Sequence, residues 1–128
     1  MNRWIVAACF LAFTLAPAAA GDVRLDSYRH PEKEVNRFYN QTYLEGAKGG
    51  LMMFNAWARR HGGPAFCMPP DLALTAEQAE EIMLKAADKR QAKAEVPISA
   101  LLFWGMQDTF PCDKTGGDKA GGENPDNH

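Results

Sequence analysis

Histidine and cysteine are scarce in this chain, three of each in 128 residues, and that scarcity removes most catalytic arrangements. His128 stands in the C-terminal stretch, His30 precedes the first long helical pattern, and His61 sits where that pattern ends. A histidine at a helix C-terminus is ordinarily a favourable charge for that position. No glycine-rich loop runs into Lys followed by Ser or Thr, and no serine stands in a nucleophile-elbow setting. The paired carboxylates Glu80/Glu81 and Glu32/Glu34 fall on exposed turns, where they complement helix dipoles and do not form an acid/base pair. The formal net charge is only −2, and without a clustered basic face the chain has no footing for nucleic acid. No stretch alternates over enough residues to argue for a sheet. These absences lead us to expect a non-enzymatic protein with no cofactor.

Long apolar runs are also missing, with one informative near-exception. Residues 4–15 are apolar apart from Thr14, too short a run for a span that needs about 20 residues. Arg3 lies before this run, Pro17 breaks it, and Ala18-Ala19-Ala20 supplies small residues ahead of Gly21. This is the pattern of a cleavable secretory leader, so residues 1–20 are expected to be removed after Ala20. Cys9 leaves with the leader, and no cysteine stands at the cleavage point to carry a lipid. The mature protein is expected in the bacterial periplasm, with no membrane attachment. Beyond Cys112 the chain holds no large apolar residue, and residues 113–128 are expected to be a disordered polar tail. Residues 21–112 then form one small domain, of a size at which a core alone is marginal and a covalent staple is expected.

The periodicity inside that domain is helical. Residues 22–30 show no clear period and are expected to wrap the surface. Pro31-Glu32-Lys33-Glu34 reads as a helix start, and the helix continues to Arg60, where Gly62-Gly63 ends it. Gln41, Glu45, Lys48, Met52, Asn55 and Arg59 make a narrow polar stripe in an otherwise apolar helix, which predicts a central helix packed from more than one side. Trp57, and Trp104 further on, are assigned to the core. Gly46 and Gly50 permit close approach of another backbone, within the monomer or across a homodimer, and a break at Gly49-Gly50 is a further alternative. Thr75 with Gln78 predicts a capping box opening a second helix, and Pro97 a third, which Pro111 stops. The fold class expected is all-α, a bundle of three to four helices.

Cys67 and Cys112 are the two cysteines of the mature chain, 45 positions apart, each following a helix. An even count in an exported protein argues for a disulfide. Closing that loop would stabilise the fold by roughly 4 kcal/mol on the chain-entropy model. The alternative, free or metal-binding thiols, lacks a second Cys or His nearby at ligand spacing. Copper handling in the periplasm makes His61, Met52, Met53 and Met68 worth weighing as ligands. Met53, however, falls on the apolar side, where methionine fills core gaps, and no metal site is expected.

Four segments in order resemble a known family: Tyr43-Leu44-x-Gly46, Phe66-Cys67-x-Pro69, Leu74-Thr75-x-x-Gln78, and Pro97 with an apolar run ending in Phe110-Pro111-Cys112. Their order and spacing are similar to the Rap1a/Tai immunity proteins over residues 38–112. That resemblance implies a small disulfide-bonded helical periplasmic protein. Some members bind and block peptidoglycan amidase effectors delivered by type VI secretion. The function this resemblance implies is inhibition of a protein partner, a secreted cell-wall amidase whose cleft it occludes. A periplasmic holdase that exposes apolar surface on acidification is the alternative. The contact residues expected are His61, Phe66 and Met68 in the cysteine loop, and Lys89, Arg90, Gln91 and Lys93 in the loop before the last helix.

Overall fold

Local signals mark the end of the longest described helix and the start of the one after it. In the computed structural model residues 21–113 are described; the expected leader and residues 114–128 of the expected tail lie outside them. The helices are α1 (Leu25–Arg29), α2 (Glu34–Arg60), α3 (Ala76–Lys89) and α4 (Ile98–Thr109), so the described chain is all-α. At about 1.5 Å per residue, the 27 residues of α2 extend roughly 40 Å, unbroken at Gly49-Gly50. The helix starts later than Pro31 suggested, with Lys33 as N-cap and Glu34 at the positive dipole end. It ends as expected: Gly62 and Gly63 take φ of +123° and +118°, a left-handed turn open to glycine, and Gly63 N–H donates to the Ala58 carbonyl at 3.0 Å. The capping box of α3 is complete. Gln78 N–H donates to Thr75 Oγ1 at 3.2 Å, and Thr75 N–H donates to Gln78 Oε1 at 3.0 Å.

The segment before α2 does more than wrap the surface. Val23 and Leu25 are buried in the core, and α1 occupies Leu25–Arg29. Three backbone hydrogen bonds stitch this segment to the chain before α4: Leu25 N–H to Val96 O at 2.9 Å, Asp26 N–H to Ala94 O at 3.0 Å, and Ile98 N–H to Val23 O at 2.9 Å. An isolated antiparallel bridge pairs Arg24 with Pro97. Two inward residues, Val23 and Leu25, are too few to register as strand alternation, which is why the pattern shows only once both segments meet.

The core is formed mainly by α3 and α4 with the cysteine loop laid across them. Phe66, Met83, Ile98, Leu101 and Leu102 are fully enclosed. Gly105 makes the close helix contact possible. A Cβ built there would lie 2.7 Å from both Cγ2 and the backbone O of Ile82 and 3.2 Å from Ala86 Cβ. The close-packing glycine of the monomer is thus Gly105; nothing lies within 4 Å of a Cβ built on Gly46, Gly49 or Gly50.

Within the described chain, α2 packs on one face only, which corrects the expectation of a helix enclosed from several sides. Asn40, Leu44, Asn55 and Ala58 are its buried residues. Part of the polar stripe turns inward. Asn55 Nδ2 donates to Phe66 O at 2.9 Å, and its Oδ1 accepts from Ala65 N–H at 2.8 Å and Phe66 N–H at 3.2 Å. Lys48 Nζ reaches Glu45 and the Leu74 carbonyl. Met53, Trp57 and Trp104, assigned to the core from sequence, are instead 78 %, 56 % and 37 % exposed. The period was right and the facing was not: Asn55 is drawn inward by hydrogen bonds to the buried loop, beside Leu44, Leu51 and Met52, and Met53 and Trp57 are left facing out.

Two stability predictions follow from this packing. Gly105→Ala should lower unfolding free energy by about 1–3 kcal/mol in urea titration despite alanine's better helix propensity, since its methyl meets the Ile82 backbone. Asn55→Ala should lower it by about 2–3 kcal/mol, because it strands the buried polar groups of Ala65 and Phe66.

Candidate partner-binding surface

The cysteine loop is a clamp. Cys67 and Cys112 form a disulfide with Cα atoms 4.8 Å apart. Cys67 N–H donates to Phe110 O at 2.8 Å, and Gln107 Nε2 donates to Ala65 O at 3.4 Å. These bonds turn the loop's apolar side chains inward. Phe66, expected as a partner anchor, is fully buried and offers no side-chain surface. Met68 is half-buried against the core, as is Met52. Of the three residues expected to make contact here, only His61 is exposed.

The second expected loop is tied down as well. Its backbone is bonded to residues 25 and 26, and its cations face a carboxylate on α4. Arg90 Nη1 lies 2.5 Å and Lys89 Nζ 3.3 Å from Asp108 Oδ2, and the Arg90 guanidinium sits 5.6 Å from the Trp104 ring centre. The hydrogen bond from Arg90, joined by Lys89, holds the Asp108 carboxyl below its ordinary range, while the same bond raises the pKa of Arg90. Gln91, at φ +47°, and Lys93 are exposed. This loop is a positioned corner in which two of three cations are already engaged.

The surface that sequence reasoning missed lies on the outward side of α2 and the neighbouring part of α4. The Phe54 ring centre is 6.3 Å from that of Trp57 and 6.4 Å from that of Phe103. Trp57 stacks on His61 at 4.3 Å with 15° between the ring planes. His61 Nδ1 lies 2.8 Å from the Trp57 carbonyl, the geometry of an Nδ1–H donor fixing the ring at the helix end. The spacing i, i+3, i+7 of Phe54, Trp57 and His61 was visible in the sequence, but it fits a core face as well as an outer one. Aromatic, partly exposed and rigidly based, this cluster has the composition of an interface hot spot.

A cleft of about 350 Å³ between α1, α2 and α3 is lined by Tyr28, Arg29, Arg37, Glu80 and Asp88 among others. Its charges are mixed, and Arg29 Nη2 is bound by Asp88 at 2.6 Å. The Tyr28 hydroxyl is buried there without a hydrogen-bond partner, and burial, then the neighbouring Glu80, raise its pKa well above the usual range. Among the described residues no three His, Cys, Asp or Glu side chains are grouped to hold a metal ion. No described helix is long and apolar enough to cross a membrane.

The Asp108 pair generates a pH prediction. A carboxyl with a lowered folded-state pKa contributes stability above its unfolded value, lost as pH falls through the folded one. In a carboxyl-carbon NMR titration Asp108 should titrate below the ordinary range, and Arg90→Met should move it back up. An unchanged titration in the variant would show that the pair is not formed in solution. No protein-family model, curated protein or solved structure matches this chain.

Proposed function

We propose that this protein is an exported, non-enzymatic inhibitor of the Rap1a/Tai type that binds a partner protein in the periplasm. Its partner is a secreted peptidoglycan amidase whose cleft it occludes. The observation that carries the proposal is the exposed cluster of Phe54, Trp57, His61 and Phe103, seated where the disulfide and Asn55 fix the end of α2. A binding surface is strongest where large aromatic side chains are held rigid before the partner arrives, since little ordering entropy is then lost on association. The disulfide is compatible with an oxidising compartment. Lys93 and Gln91, exposed and unburdened by Asp108, are assigned to the rim, where they steer approach more than they add affinity.

The exposed apolar side chains of α2 also favour a second reading, a holdase that offers the same surface to many clients. The two differ in stoichiometry and in breadth. The oxidised protein should inhibit one amidase at an equimolar ratio, and Phe54→Ala should weaken that complex by about 2 kcal/mol or more in isothermal titration calorimetry. Weak binding to many unfolded clients, growing with apolar dye binding at low pH, would instead support the holdase.

A further inference from the structure

Two clefts, of about 350 and 300 Å³, open between α2 and α3 near the start of the long helix. Both are lined by Tyr28, Gln41 and Glu80, so these three side chains stand where the clefts meet. The first cleft adds Arg37 and the Arg29–Asp88 ion pair. The second adds the apolar side chains of Phe38, Leu44 and Ala76, with Glu45 and Glu77 at its edge. Volumes of this order are at the small end for ligand sites, and such sites combine apolar walls with a few convergent polar groups.

The junction differs from its surroundings in unused hydrogen-bonding capacity. Further out, Arg29 is held by Asp88 at 2.6 Å and Glu45 by Lys48 at 2.9 Å. At the junction the polar groups are not engaged. Glu80 is half-buried and Gln41 exposed, and neither side chain makes a hydrogen bond or ion pair among the described residues. Arg37 touches only Glu34, through Nε at 3.8 Å, and forms no ion pair with Glu80 although both line one cleft. The Tyr28 hydroxyl is buried beside Glu80 with no hydrogen-bond partner. Buried polar groups are almost always paired, and unlike charges that share a cleft without meeting leave room for a bridge between them.

We propose that this junction binds a small zwitterion, an α-amino acid with an apolar side chain. Its ammonium donates to the Glu80 carboxylate, and its carboxylate accepts from the Arg37 guanidinium. Its side chain enters the second cleft against Phe38, Leu44 and Ala76. Glu80 and Gln41, which no hydrogen bond holds, turn onto the ligand and uncover the Tyr28 hydroxyl, which donates to the ligand's carboxylate. Charge selects this occupant. A simple cation would face Arg37 and a simple anion would face Glu80, each unfavourably; a molecule with both charges satisfies both walls. Roughly 20 Å of helix separates Gln41 from Phe54, so this site stands apart from whatever the aromatic cluster binds.

The test is an amide-resolved NMR titration of the full chain, exported to the periplasm of a bacterial host and purified oxidised. The probes are L-leucine, isocaproate, which lacks the ammonium, and isoamylamine, which lacks the carboxylate. Leucine should give saturable shifts centred on residues 28, 37–41 and 76–84, and each analogue should bind about tenfold more weakly or worse. Glu80→Gln, Arg37→Gln and Tyr28→Phe should each raise the leucine dissociation constant about tenfold. Without leucine, Tyr28→Phe should leave the thermal midpoint no lower, since it deletes an unpaired buried hydroxyl, so its effect on binding is not a loss of fold. No saturable shift with leucine overturns the proposal. So does isocaproate or isoamylamine binding as tightly as leucine, which would mark a site for a single charge. Leucine binding that Glu80→Gln and Arg37→Gln both leave unchanged overturns it as well.

Discussion

The fold depends on how the C-terminal part of α2 is fastened to the end of α4. A fully buried phenylalanine in an irregular loop carries backbone groups into the core with it, and those groups need partners. Asn55 meets that need from α2, using both ends of its amide on Ala65 and Phe66. One residue further on, Cys67 is hydrogen-bonded to Phe110 and covalently joined to Cys112. The apolar anchor, the buried amide and the disulfide are therefore one device. It holds a roughly 40 Å helix that otherwise touches the rest of the protein along a single face.

That fastening explains why α2 has two apolar faces with different fates. The inner line through Leu44 and Ala58 is buried by α3, α4 and the loop. The outer line keeps Phe38, Met53, Phe54 and Trp57 at the surface. These side chains fall in two groups, Phe38 near the start of α2 and Met53, Phe54 and Trp57 near its end. The loops that looked like protrusions are meanwhile drawn into the body: one by Asn55 and the disulfide, the other by residues 23–26 and Asp108.

What the sequence made legible was whatever is encoded locally. The capping box at Thr75, the glycine stop after α2, the proline ends of α4 and the all-α class are short-range signals, and all are present in the structure. The Cys67–Cys112 pairing was legible because only two cysteines remain outside residues 1–20. What depends on two distant segments meeting was not legible. The Val23 and Leu25 burial exists only because residues 94–98 lie alongside, and the inward turn of Asn55 only because Phe66 returns to it. Trp57 and Phe66 changed places for the same reason. Both are aromatic, but the loop folds Phe66 into the core between α3 and α4, and Trp57 lies on the side of α2 turned away from it.

The glycines of α2 and the disulfide are best understood together. A glycine within a helix is less favourable than alanine by roughly 1 kcal/mol, so Gly46, Gly49 and Gly50 together weaken α2 by about 3 kcal/mol. No contact inside the described monomer uses their small size. The covalent clamp stabilises the fold by roughly 4 kcal/mol, enough to offset that loss. A helix held firmly at its C-terminal end can thus carry a flat, weakly helical middle without fraying. At Gly105, by contrast, the same residue type is fixed by the monomer's own packing against Ile82 and Ala86. The difference between these two sites separates a glycine that the fold's own packing requires from glycines that it does not.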